Sequence, residues 1–321
     1  ERVSMSRWEW IARAGVPSEV TRRLGGVRGR MARRLARLVG VEDALAAQRD
    51  TIAWQRARLD YLDTLLTNLA HRTTARPWRG KQERPVLLLG TGGGGTRVLA
   101  EAAARLGVVL GTRVNESFDS VEWVPLVYEA AIEGSAPAPE AIRQLAAAVY
   151  APWLGDATRW GLKLPELILV LPAFLAAFPA AQVVWLTRHP LSAALRRSHV
   201  TTQPDHPLGR AVLAAAYRGA ERDAARIPTD PQYLRNALAW RYQVGLVGAA
   251  LAGVPPEHVL QLRLEDFGGD ATARLAAFLS LPPGHVSVGV DAERLEVPRG
   301  DPRASEVLAW CGSMARPLGY E

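Results

Sequence analysis

The stretch RPVLLLGTGGGGTRVLAEAAARLG, Arg84 to Gly107, constrains the fold more than any other part of the chain. An apolar run, a glycine run and a longer segment of helix-forming residues read as a strand, a loop and a helix. Gly92, Gly93, Gly94 and Gly95 strip the loop of side chains, so backbone amides can close around a guest. The following helix aims the positive end of its dipole at the same spot. An anion fits there, and phosphate is the commonest. Two further apolar segments, at 183–187 and 259–264, also read as strands, with helical stretches between. That alternation predicts an α/β fold with a central parallel sheet flanked by helices. The functional loops then fall at the carboxyl ends of the strands, at 90–97, 188–196 and 265–267.

Length and composition narrow the class. A chain of 321 residues accommodates one large α/β domain plus an appendage. Cys311 is the only cysteine, which excludes intrachain disulfides and cysteine-based zinc sites. No apolar run reaches the roughly 20 residues of a membrane span, and ERVSMSRWEWIARAG lacks the apolar core of a signal peptide. A cytoplasmic enzyme is expected.

The net charge of +7 is concentrated: residues 1–80 hold 16 Arg against 8 acidic residues, and the rest is close to neutral. The densest part, Thr21 to Gly40, spaces Leu24, Val27, Met31, Leu35 and Leu38 as one face of a basic helix. It suits an arginine-rich solvated face packed on the main domain, or peripheral contact with an anionic membrane. Nucleic acid is not expected as a partner, since no aromatics interleave the arginines. Val41 to Arg72 follows without Gly or Pro, and Ile52, Leu59, Leu62, Leu66 and Leu69 form a heptad-like seam. That seam serves an internal packing face or a homo-oligomer equally well. A Pro/Gly-rich linker then places the domain division near residue 80, with a helical arm over 1–80 and the α/β domain over 81–321.

The loop fits two familiar phosphate motifs poorly. Gly90, Gly92 and Gly95 satisfy G-x-G-x-x-G, but the acidic residue of a dinucleotide fold is replaced by Glu116 in a polar loop. Gly90 and Gly95 also begin a P-loop. There Thr96 stands at the lysine position and Arg97 at the magnesium-binding hydroxyl, which argues against a nucleotide triphosphatase.

A third pattern fits along most of the domain. The loop keeps Gly90, Gly95 and Thr96 in register with a phosphosulfate-binding loop. Downstream come Lys163 and Pro165 in a K-x-P element, Phe178-Pro179, the strand QVVWLT and Arg188-His189-Pro190 opening a helix. The late segment HVLQLRLEDFGGDATARLAAFLSLP and the closing MARPLGY complete the series. Over about 84–320 the chain resembles the sulfotransferases that use PAPS (3′-phosphoadenosine 5′-phosphosulfate), with a P-loop-like architecture. The resemblance implies PAPS as cofactor, PAP as product, no metal requirement, and a small-molecule, glycan or lipid acceptor.

It also implies roles. The loop Gly92–Gly95 with Thr96 holds the 5′-phosphosulfate, and Arg188 holds the 3′-phosphate as a planar bidentate donor. Lys163, which with Lys81 makes up all the lysine of the chain, is the cation for the transferring group. Glu116, then Asp119, are the candidate bases; in their place Asn115, Ser117, Asp119 or Ser120 can cap the next helix. His189, His199 and His206 form a second pool of bases. Two departures stand out. Gly93 occupies the family's basic position in the loop, for which Arg97 can substitute. Arg196 occupies the position of a phosphate-binding serine, where it strengthens the 3′-phosphate site or leaves Ser192 or Ser198 to supply the hydroxyl. A dinucleotide-dependent oxidoreductase and a catalytically silent nucleotide-binding or scaffold protein are the alternatives. Val200 to Trp240 is expected to line the acceptor site, with Trp123, Trp153, Trp160 and Tyr233 as stacking surfaces or ordinary core aromatics.

Overall fold

A computed structural model of the chain describes residues 48, 49, 52, 55 and 83–320, apart from 151–158, 197, 283–287 and 292–293. The basic helix at 21–40, nearly all of the heptad-like seam, the linker and Trp153 lie outside the described residues. By its contacts the chain divides into Glu1–Arg49 and Asp50–Glu321. The sheet and the helices that cover it belong to the second unit.

Five parallel strands stand in the order β2-β3-β1-β4-β5: β1 Val86–Leu89, β2 Val108–Val109, β3 Arg159–Lys163, β4 Gln182–Thr187 and β5 Val259–Arg263. The α/β expectation holds. β1 is central, and VLLL is wholly buried because helices cover both faces of the sheet. Its residues alternate between two cores. Val86 and Leu88 join Val184 and Leu186 beneath α1 (Thr96–Arg105) and α8 (Gly269–Phe278), through Leu99, Ala103 and Leu275. Leu87 and Leu89 join the larger opposite core.

That larger core is built by α2 (Val124–Glu133), α3 (Pro139–Tyr150), α4 (Leu171–Ala177), α5 (Pro190–Ala194), α6 (Pro207–Gly219), α7 (Gln232–Leu251) and α9 (Ala304–Ala315). Each buried Leu or Val adds about 1.5–3 kcal/mol of apolar transfer. Trp123 and Trp160 are core residues here, packed on Phe174, Tyr150 and Phe178. Tyr233 instead bonds Glu306 at 2.6 Å.

β2 and β3 escape a reading by apolar runs. β2 has two residues, and β3 reads RWGLK, charged at both ends yet buried throughout. Its arginine is satisfied internally: Arg159 donates to Gln182 Oε1 at 2.8 Å and to the Leu279 carbonyl at 3.0 Å.

The chain leaves β1 toward β2 on one side and later crosses to β4 on the other. The carboxyl ends of β1 and β4 therefore flank a switch point, where such sheets open a crevice. The glycine loop and Arg188 stand on its two sides.

Candidate functional site

The loop between β1 and α1 is a tight cradle. Gly94 N–H donates to the Thr91 carbonyl at 2.7 Å, and Gly93 and Gly95 adopt φ of +69° and +90°. Positive φ explains glycine at those two positions. Space is equally limiting. A Cβ on Gly92 would fall on the His199 ring, and one on Gly93 would lie 2.6 Å from Arg196 Nη1. Gly95 precedes α1 without a side-chain cap, and the first turn of α1 carries no acidic residue. The amides at that turn remain available for an anion. Thr96 is buried there and Arg97 is exposed.

Arg188 follows β4 and faces the loop. Its Nη1 donates to the Gly93 carbonyl at 3.1 Å and its Nη2 to the Arg294 carbonyl at 3.0 Å. Its Nε is buried with no hydrogen-bond partner. Burial depresses the Arg188 pKa, and nearby Arg294 adds to the effect against the opposing pull of Glu265. The backbone beside Arg188 is braced by Glu265, which accepts from His189 N–H at 2.8 Å and from the Tyr320 hydroxyl at 3.1 Å. Ser192 is committed to the chain itself, donating to the Glu296 carbonyl at 3.3 Å.

α5 offers less than a sequence reading of Arg188-His189-Pro190 implies. His189 Nδ1 accepts from Leu191 N–H at 3.2 Å, so the start of that helix is already capped. The segment contributes a guanidinium to the crevice, not a second set of open amides. His206 caps α6 in the same way, through Leu208 N–H at 3.2 Å. His199 caps the short turn Val200–Thr202 through Thr201 N–H. An Nδ1 that accepts an amide proton leaves the ring proton on Nε2. His199 Nε2 then points its proton at Glu166 Oε1, 3.6 Å away. Burial and Arg196 hold this imidazole well below its usual pKa. The three histidines are helix caps, and none presents a free lone pair as a base.

The third wall is the end of β3. Lys163 lies beside Leu88 in register, just before the loop. Its Nζ donates to Asp119 Oδ1 at 2.6 Å and to the Ser117 carbonyl at 2.9 Å. The 115–120 turn is held in place for this. Asn115 Oδ1 accepts from Ser117 N–H and Asp119 N–H, both at 2.9 Å, and Ser120 N–H donates to the Lys163 carbonyl at 2.8 Å. The expected alternative, that Asp119 or Ser120 caps the following helix, does not occur: Ser120 makes no side-chain cap. Glu122 is structural, accepting from Thr112 N–H and Oγ1 at 2.7 Å each. Glu116 is exposed on the same turn.

Glu166 is the residue a sequence reading misses. It is 2% exposed, and burial together with neighbouring Asp119 raises its carboxyl to about 7. Its signal was present as the acid three residues after Lys163 in LKLPE. The His199 ring, packed between Glu166 and Gly92, joins the β3 corner to the loop.

Glycine amides, two arginines and a buried lysine gather around the switch point of a parallel sheet in an α/β protein. Residues 26–282 match the family model described as "Sulfotransferase family", and the chain belongs to that family. No curated protein matches. Among solved structures, the sulfotransferase domain from the curacin biosynthetic pathway shares 15% identity at a TM-score of 0.39, covering 74% of this chain and 98% of its own. A sulfotransferase from Alicyclobacillus acidocaldarius shares 14% at a TM-score of 0.42, covering 73% and 94%. Among the described residues no cluster of His, Cys, Asp or Glu could hold a metal ion, and no helix is long and apolar enough to cross a membrane.

Proposed function

We propose that this sulfotransferase takes its sulfuryl group from PAPS and passes it to a hydroxyl or amine of a small molecule, glycan or lipid. The observation that carries the reading is the convergence of Arg188 and Arg196 on a glycine loop at an uncapped helix start. Those features fit the donor. A cradle with no room for a Cβ suits a backbone-bound phosphosulfate. The unpartnered Arg188 Nε, buried beside the cradle, suits a second phosphate.

PAPS, when bound, brings an activated sulfuryl group on a bridging oxygen. The chain supplies the rest. The loop amides and α1 dipole orient the phosphosulfate, and the Lys163 ammonium stabilises the charge on the transferring group. Asp119 holds that ammonium by a 2.6 Å contact. Glu116, on the exposed side of the same turn, takes the acceptor's proton. A second reading gives this step to Glu166, because a carboxyl near 7 is matched to proton transfer at neutral pH. For residues 1–80 we propose a helical arm with two uses, an anionic membrane surface for the basic part and a second copy for Val41 to Arg72. The setting is cytoplasmic.

Calorimetry with PAP, ADP and NAD tests the donor, and transfer of labelled sulfate tests the chemistry. PAP bound more tightly than ADP, with NAD silent, is expected. Tighter NAD binding would favour a dinucleotide-dependent oxidoreductase, and PAP binding without transfer to any acceptor class would favour a silent nucleotide-binding protein.

A further inference from the structure

Gly93 is gripped from two directions. Arg188 donates to its carbonyl, while Arg196 lies along its Cα, so that Cδ, Cζ and Nη1 of Arg196 all fall within 2.6–2.9 Å of where a Cβ would stand. The Arg196 side chain therefore fills the space that a side chain at position 93 would otherwise take. The backbone of Arg196 is fixed for this by α7. Asn236 Nδ2 donates to the Ala194 carbonyl at 2.9 Å and to the Arg196 carbonyl at 3.0 Å, and Gln232 Nε2 donates to the same carbonyl at 3.0 Å. Asn236 is itself 1% exposed, so the clamp is part of the core.

We propose that Arg196 is the cation of the glycine loop, supplied across the crevice from the exit of α5, and that it binds the 5′-phosphosulfate end of the donor. This deepens the PAPS reading and rests on it, and it moves Arg196 away from the 3′-phosphate. Two guanidiniums over one glycine repel each other: burial and Arg188 together depress the Arg196 pKa to about 10. An anion laid on the loop relieves that repulsion, which favours binding of the more highly charged donor end.

Three nucleotides separate the two ends: PAP, 5′-AMP and 3′-AMP, titrated calorimetrically against the full chain. Arg196→Ser is expected to weaken PAP and 5′-AMP by the same factor, about 10- to 100-fold, and to leave 3′-AMP unchanged. Loss of 3′-AMP with 5′-AMP unaffected would place Arg196 at the 3′-phosphate and overturn the proposal. So would loss of 5′-AMP binding in Arg97→Ala but not in Arg196→Ser. An unmodified chain that binds 5′-AMP but gains nothing from the 3′-phosphate of PAP would sink the PAPS reading while leaving Arg196 at the loop. A chain that binds none of the three overturns both.

Discussion

Lys163 Nζ sits 2.6 Å from Asp119 Oδ1, with the lysine side chain 3% exposed and the aspartate 19%. A nearly dry ammonium is thus held by one carboxylate and one carbonyl. Removing the carboxylate strands the charge. Asp119→Ala is expected to cost about 3 kcal/mol of stability, the low end for a broken buried pair because Asp119 keeps some solvent. Lys163→Ala removes the buried charge and leaves only the more exposed Asp119 without its partner, so it should destabilise less while lowering turnover. Denaturant melts of both variants check the order; a stable Asp119→Ala would show that the pair holds nothing.

Glu116→Gln keeps shape and hydrogen bonding but cannot accept a proton. Turnover is expected to fall roughly 10²–10⁴-fold with PAP affinity unchanged. Paired calorimetry and saturating turnover read both quantities. Near-normal turnover in this variant, with loss in Glu166→Gln, transfers the role to the buried acid.

Glu166 also ties stability to pH. Its folded pKa, about 7, lies above the ordinary 4.5, so the folded state binds the extra proton between those values. Stability must therefore decline as pH rises through that window, and the loss is complete above pH 7. The full effect is about 3 kcal/mol. Glu166→Gln should match the parent at pH 4 and exceed it at pH 8. Parallel stability curves for the two proteins would show that Glu166 does not titrate this way.

Arg188→Ala is expected to weaken PAP by about 1.5–3 kcal/mol, through loss of a charge-assisted contact, and 5′-AMP much less. Equal weakening of both nucleotides would remove Arg188 from the 3′-phosphate.

PAP affinity should be the same in EDTA and in millimolar magnesium, because Arg97 stands where a P-loop has its metal-binding hydroxyl. A titration that needs magnesium would contradict the donor assignment.

The glycine loop, β1, β4 and β5 could be read from the chain because apolar runs and glycines act locally. β3 could not, since its Arg159 is satisfied only by Gln182 and the carbonyl of Leu279, far along the chain. The position of Lys163 was legible from its K-x-P setting, but its contact with Asp119 depends on hydrogen bonds between Lys163 and Ser120, two residues distant in the chain. Glu166 drew no sequence reading, because its burial arises only in the folded chain. The histidines looked chemical, and proved to be caps, because Nδ1 acceptance is set by local backbone geometry that composition does not reveal.

β1 pairs with β3 through Val86 and Gly161, and with β4 through Val86 and Gln182, but with no strand near it in sequence. On the ribosome the glycine loop therefore emerges long before either of its walls. Its arginines arrive only with the residues that follow β4, and the clamp on Arg196 only with α7. If the donor is PAPS, a nascent chain is expected to bind it only when all these parts are present. Capture of PAP on a nucleotide resin should switch on abruptly with chain length, once α7 and β5 have cleared the exit tunnel, making ligand retention a direct timer of when this sheet closes.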